Sequence, residues 1–257
     1  MKIFDSHTHL NDDHLYPQAG EYFKHANKLG VVKLCNVGSN EKLNWLSLDL
    51  AHKYHNMYSI IGWHPEDSIY YNDAQEKVLI KQLEEEPVVA VGEIGLDYYQ
   101  TTSPRHIQKK VFRRQIQIAK DFHLPISVHN QDAFEDTYTI LKEEGVSDIR
   151  GVMHSFNGDP EWLKKFLDLG MYVSYSGVAS FKKTREVHAS VRQTPLDSML
   201  VETDAPYLAP EPLRGTQNEP ANTLYTVEAV ARFRDTNPDE IAQHTYNNAL
   251  KLFGIED

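Results

Sequence analysis

The chain has 257 residues, 40% hydrophobic and 25% charged, with Lys+Arg 26 against Asp+Glu 37 and a formal net charge of -11. That balance excludes a broad basic surface for duplex nucleic acid, though not a nucleic-acid end held by cations in a pocket. The length suits one domain over residues 1–257, and a single cysteine, Cys35, excludes an internal disulfide and fits a reducing compartment.

Short β-branched runs alternate with longer amphipathic stretches. Strands are expected at Lys2–Asp5, Val31–Val37, Met57–Gly62, Val88–Glu93, Pro125–His129, Ile149–His154, Met171–Ser176 and Met199–Asp204. Helices are expected between them, at Gly20–Leu29, Glu41–His55, Asp73–Glu85, Pro104–Phe122, Asp132–Glu143, Pro160–Leu169, Lys182–Gln193 and Ala221–Arg234. In the fourth helix Ser103 is placed to cap, Pro104 to start, and Ile107, Val111, Ile118 and Phe122 to face the core. Strand–helix alternation implies parallel βαβ units, and eight of them predict a closed (β/α)8 TIM barrel. An open doubly wound sheet is the alternative, but no G-x-G-x-x-G or phosphate-loop pattern follows the first strand. A further C-terminal helix is expected over Pro238–Phe253. There Asn237 would cap, Glu240 would complete a capping box, and Gly254 would stop the helix. Cys35 lies in an apolar run and reads as buried and inert. The chain opens directly on a strand with no signal-peptide pattern, and no apolar run is long enough for a membrane span. A cytoplasmic protein with no membrane partner is therefore expected.

In such a barrel the chemistry sits at the carboxyl ends of the strands. The first strand ends in Asp5-Ser6-His7-Thr8-His9, with His7 and His9 two apart and so on one side of an extended chain. The third ends in His64-Pro65, the fourth in Gly92-Glu93-Ile94-Gly95-Leu96-Asp97, the fifth in His129, the sixth in His154 and the eighth in Glu202-Thr203-Asp204. Of 13 histidines, these five fall at strand ends, while His14, His25, His52, His55, His106, His123, His188 and His244 fall on helices or loops and read as solvated or packing residues. The six residues His7, His9, Glu93, His129, His154 and Asp204 suffice for two divalent ions. His7, His9 and Asp204 would hold one, His129 and His154 the other, and the Glu93 carboxylate would bridge them. Mixed nitrogen and oxygen donors fit zinc, manganese or weakly held magnesium, and paired ions suit phosphate-ester hydrolysis.

These motifs in order resemble the TatD family of metal-dependent hydrolases, within the amidohydrolase-like barrels. The resemblance runs from Asp5-Ser6-His7-Thr8-His9-Leu10 through Gly62-Trp63-His64-Pro65 and Gly92-Glu93-Ile94-Gly95-Leu96-Asp97-Tyr98 to Leu124-Pro125 with His129. It continues through Gly151-Val152-Met153-His154-Ser155-Phe156, Glu202-Thr203-Asp204-Ala205-Pro206-Tyr207-Leu208 and Arg214-Gly215 with Asn218-Glu219-Pro220 to Leu252-Phe253-Gly254. It implies a metal-dependent deoxyribonuclease, typically a 3′ exonuclease on single-stranded DNA and in some members on RNA, with the same metal ligands. Two departures remove positive charge. Asn130, Gln131 and Asp132 follow His129 where an arginine is frequent, and Thr216 and Gln217 follow Gly215 where a basic residue is usual.

Each candidate then takes a role. Asp204 is the metal ligand that also acts as general base, Glu93 the bridging carboxylate, and His64 the donor to the substrate phosphate or leaving group. Arg214 would clamp phosphate, and Tyr98 or Tyr207 would stack a base. Trp63 reads as a core or loop anchor. The substrate partner would be a nucleic-acid 3′ end, bound by a monomer or weak oligomer. Competing readings are an ester or amide hydrolase on the same metals, such as a D-aminoacyl-tRNA deacylase or small-molecule amidohydrolase, or a non-catalytic binding barrel. Many amidohydrolase barrels of that kind bridge their metals with a carboxylated lysine; Glu93 at the strand-four position favours the phosphodiester reading.

Overall fold

Strands that carry apolar residues without polar alternation need cover on both faces, and a parallel sheet wrapped by helices supplies it. The computed structural model, which describes residues 1–100 and 102–257, has that architecture. The strands β1 (Ile3–Thr8), β2 (Val31–Val37), β3 (Met57–Ile61), β4 (Val88–Asp97), β5 (Ile126–Gln131), β6 (Gly151–Met153), β7 (Met171–Tyr175) and β8 (Met199–Val201) form one sheet in chain order. Every adjacent pair is parallel. The intervening helices are α1 (Ala19–Lys28), α2 (Glu41–Lys53), α3 (Asp73–Leu83), α4 (Arg105–Asp121), α5 (Phe134–Glu144), α6 (Pro160–Asp168), α7 (Arg185–Gln193) and α8 (Thr223–Arg234), with α9 (Pro238–Phe253) last. This is the (β/α)8 TIM barrel that the alternation implies. No helix among the described residues is long and apolar enough to cross a membrane.

The strand boundaries shift where the site begins. β1 continues to Thr8 and β4 to Asp97, so His7 and Glu93 lie inside strands, while β8 stops at Val201 and leaves Glu202 to Asp204 beyond it. The register of β1 is irregular between Asp5 and Thr8, and that of β4 between Val91 and Ile94. A bulge at a barrel rim re-aims a side chain, and these two bracket His7 and Glu93.

One expected cap and one expected capping box are not made. Ser103 accepts from the Ile69 N–H (3.0 Å) and donates to the Glu66 carbonyl (2.7 Å) instead of capping α4. Asn237 caps α9 through the Asp239 N–H (2.9 Å), but the Glu240 carboxylate accepts from the Thr236 hydroxyl and closes no capping box. Gly254 ends α9 at φ 65. The α9 side chains Tyr246, Ala249, Leu252 and Phe253 pack with Phe4, Cys35, Ile60, Ala90 and Leu200, which plugs the amino-terminal end of the barrel.

The seam between β8 and β1 is closed by chain beyond β8. Asp204 N–H donates to the His7 carbonyl (2.9 Å) and His9 N–H to the Ala205 carbonyl (2.8 Å). The buried Asp5 carboxylate accepts from Thr203 N–H (2.9 Å) and Thr203 Oγ1 (2.5 Å), and Ser6 Oγ donates to the Val201 carbonyl (2.9 Å). Asp5→Ala strips the buried Thr203 N–H of its acceptor, at a cost of about 1–3 kcal/mol. In urea unfolding the midpoint should fall with the slope unchanged. An unshifted midpoint would show that Asp5 does not hold the seam.

Candidate metal centre

At the carboxyl end of the barrel, β1, β4, β5, β6 and the chain after β8 aim polar side chains at one point. Gly95 makes room for this convergence. It has φ +144, and a Cβ there would lie 2.0 Å from the His129 carbonyl oxygen. Asp204 adopts φ 57, a left-handed conformation that aspartate tolerates better than most residues, and this turns its carboxylate back over the barrel mouth.

The first cluster is His7, His9, Asp204 and one oxygen of Glu93. His7 Nε2 lies 3.3 Å from His9 Nε2, 3.4 Å from Glu93 Oε2 and 3.6 Å from Asp204 Oδ1. His9 Nε2 lies 3.7 Å from Glu93 Oε2 and 3.3 Å from Asp204 Oδ1. Donors about 2.0–2.1 Å from a tetrahedral ion stand roughly 3.3–3.4 Å apart, so this cage fits a divalent cation. The second cluster uses the other oxygen. Glu93 Oε1 is 2.8 Å from His129 Nδ1 and 2.7 Å from His154 Nε2, and those nitrogens are 3.4 Å apart. His64 Nε2 stands 3.5 Å from the same oxygen.

A layer of acceptors behind the rings fixes which nitrogen faces the centre. His9 Nδ1–H donates to the Val37 carbonyl (2.8 Å), His154 Nδ1–H to Glu202 Oε1 (3.1 Å) and His129 Nε2–H to Asp97 Oδ2 (2.8 Å). His64 Nδ1 accepts from the Glu66 N–H (3.2 Å), which leaves its proton on Nε2, facing the cleft. The rings of His7 and His154 stack with centroids 3.9 Å apart.

So many buried ionisable groups need compensation. Burial opposes ionisation of Glu93, but His154, His64 and His129 outweigh it and hold the carboxyl well below the usual range. Burial likewise opposes charging His129, yet Asp97 and Glu93 carry it up to about 9. His154 is driven well above its ordinary value, against burial, by Glu93 and Glu202. Burial and the neighbouring His154 push His7 the other way.

Sequence reasoning missed several contributors. Glu202 is wholly buried and also accepts from the Ser155 N–H (2.9 Å). It is two residues before Asp204, and period-two alternation was the available signal. Asp97 was noticed without a role. Two buried amides on α4 were not noticed. Gln115 receives the Trp63 N–H (2.7 Å) and donates to the Trp63 carbonyl (3.0 Å). Gln108 receives the Asp97 N–H (2.9 Å) and donates to the carbonyls of Asp97 (2.9 Å) and Ser103 (2.8 Å). One helix thus grips the backbone beside His64 and at the end of β4, and polar residues seven apart on its apolar face were the signal.

The clusters floor a cleft of ≈ 240 Å³ that also reaches His64 and Tyr207. Tyr98 and Arg214, expected as substrate contacts, are not among its lining residues. The Tyr98 hydroxyl donates to Asp136 (2.5 Å) and Arg105 covers its ring at 4.0 Å, while the Arg214 guanidinium lies 3.6 Å over the Phe181 ring. Tyr207 is 56% exposed at the rim.

The profile of the family described as TatD related DNase matches residues 4–254. An uncharacterized metal-dependent hydrolase, YabD, of Bacillus subtilis (strain 168) is 39% identical over 254 residues, covering 98% of this chain and 99% of its own. A protein of Salmonella typhimurium named 3'-5' ssDNA/RNA exonuclease TatD is 30% identical, covering 98% of this chain and 99% of its own. The crystal structure of YJJV, a TatD homolog from Escherichia coli K12, superposes with a TM-score of 0.93 at 27% identity, covering 99% and 98% of the two chains.

Cation binding should therefore appear as stability. At a hundred times its dissociation constant, one ion adds about 2.7 kcal/mol, which for a chain of this size raises Tm by about 5–10 °C. Protein stripped with EDTA and titrated with Zn2+ or Mn2+ tests this by calorimetry. A Tm indifferent to both ions would count against the centre.

Proposed function

The chain belongs to the TatD-related DNase family, metal-dependent hydrolases of ester bonds, and from that premise we propose a 3′ exonuclease of single-stranded DNA, with RNA as a second substrate. The observation that carries this reading is the Glu93 carboxylate. One of its oxygens faces His7 and His9, and the other faces His129 and His154. That division supports two divalent ions sharing one carboxylate, zinc, manganese or magnesium being the candidates. Bound there, the pair supplies an activated water and neutralises the charge on a phosphodiester.

The side chains do the rest. His7, His9 and Asp204 would hold the first ion, and His129 and His154 the second. The Asp204 carboxylate, held by His9, takes the proton of the attacking water. His64, with its proton on Nε2 and its ring against His129, donates to a phosphate or leaving-group oxygen on the far side of Glu93. The exposed Tyr207 ring, 6.3 Å from His9 between centroids, offers a stacking face beside the phosphate site.

Asp204→Asn keeps a residue that accepts the left-handed backbone and removes the base. Turnover of a single-stranded oligonucleotide should fall about 100-fold or more, with the unfolding midpoint little changed. Near-normal turnover would remove the general-base role.

With net charge -11 and Arg214 stacked on Phe181, the grip on the polyanion should be short. The log–log dependence of binding on salt should have a slope of about −0.7 per phosphate contact for only a few contacts. Cleavage of a 3′-tailed oligonucleotide across a salt series measures it. A steep slope would show an extended basic track.

A further inference from the structure

The cleft has a second lobe, of ≈ 450 Å³, that opens from the same floor of Asp97, His129, His154 and Asp204. Its lining includes Gln131 and Asn157, and the rings of Tyr99 and Tyr207 stand at its rim, 70% and 56% exposed. No lysine or arginine lines it among the described residues. A second phosphate entering this lobe would meet neutral amides and carboxylates, with no counter-charge away from the metal floor.

The amides have capacity to spare. The Asn130 side chain turns away toward α5, where its Oδ1 accepts from Thr137 Oγ1 (2.8 Å). The Gln131 side chain hydrogen-bonds, among the described residues, with Asp132 alone, at 3.4 Å. The Asn157 side chain makes no hydrogen bond among the described residues, although it lines the lobe. Carboxamides pair with the donor–acceptor edge of a nucleobase, and tyrosine rings cover its faces.

We infer that this lobe is a nucleobase subsite. It takes the base of the terminal nucleotide while the scissile phosphate lies over the metal floor. The inference rests on the exonuclease reading above and adds base recognition to it. A neutral planar heterocycle is the group that this wall selects.

The test uses single-stranded oligonucleotides alike except for a 3′-terminal adenosine, guanosine, cytidine, thymidine or abasic deoxyribose, compared by kcat/KM for terminal release with Mn2+. The wild type should favour base-bearing ends over the abasic end by about tenfold or more. Within Asn157→Ala and within Tyr99→Ala, that ratio should shrink severalfold. The differences among the four bases should flatten in Asn157→Ala, with Gln131→Ala standing in if that variant does not fold. A wild-type ratio near one overturns the subsite and leaves the exonuclease reading standing, because abasic ends are still being cut. A ratio that survives in all the variants also overturns it, since the base is then held elsewhere. Failure to cut any oligonucleotide, together with no hydrolysis of bis(p-nitrophenyl) phosphate, overturns both.

Discussion

A carboxylate buried in protein must be answered by hydrogen bonds or positive charge, and Glu93 is answered on both of its oxygens. Much of the barrel mouth follows from that demand. Two groups of imidazoles face the two oxygens of one carboxylate. Each ring must then present a chosen nitrogen, so Val37, Asp97 and Glu202 hold the opposite edges. Asp97 and Glu202 are themselves buried and need partners of their own, which the backbone N–H groups of Gln100 and Ser155 supply. The order of the site thus spreads outward from one group, with His7 Nδ1 and Glu202 Oε2 left buried without a partner among the described residues.

The fold was readable because its signal is redundant. Eight apolar runs and eight amphipathic stretches repeat one instruction, and an error at one boundary leaves the topology unchanged. The convergent residues were readable for a simpler reason: histidine is uncommon, and His7, His9, His64, His129 and His154 all fall where apolar runs stop. What was hidden depends on backbone detail. The register irregularities beside His7 and Glu93 and the left-handed Asp204 have no local pattern that announces them. Loop direction was hidden too. Tyr98 and Tyr207 both follow ligand strands, yet one ring lies under Arg105 and the other stands open at the rim.

The supporting glutamines explain a different kind of illegibility. Gln108 and Gln115 are common helix formers, and on a sequence they look like surface residues. In the fold each acts as a replacement peptide partner, receiving an N–H from one loop residue and donating to the same residue's carbonyl. A backbone that leaves a strand edge at a barrel rim has lost its ladder partner, and a buried amide side chain restores it. The distance between the two loops is then set by two turns of α4 and not by the loops themselves. The segment after β3 that carries His64 and the end of β4 that carries Asp97 are thus both tied to one helix.

The seam between β8 and β1 carries a consequence for how the protein comes into being. His7 and His9 leave the ribosome almost two hundred residues before Asp204. Throughout that interval the first cage lacks a wall, and the amino-terminal strand lacks the neighbour that Asp204 and Ala205 later provide. The nascent chain therefore carries an open barrel with an unpaired edge and two uncommitted imidazoles, and contacts of such long sequence separation form slowly. Arrival of the Thr203–Ala205 segment completes the ring and the cage in one event. An ion that prefers the complete cage favours the closed ring by mass action. The assembly of the cluster and the closure of the ring are in this sense the same step.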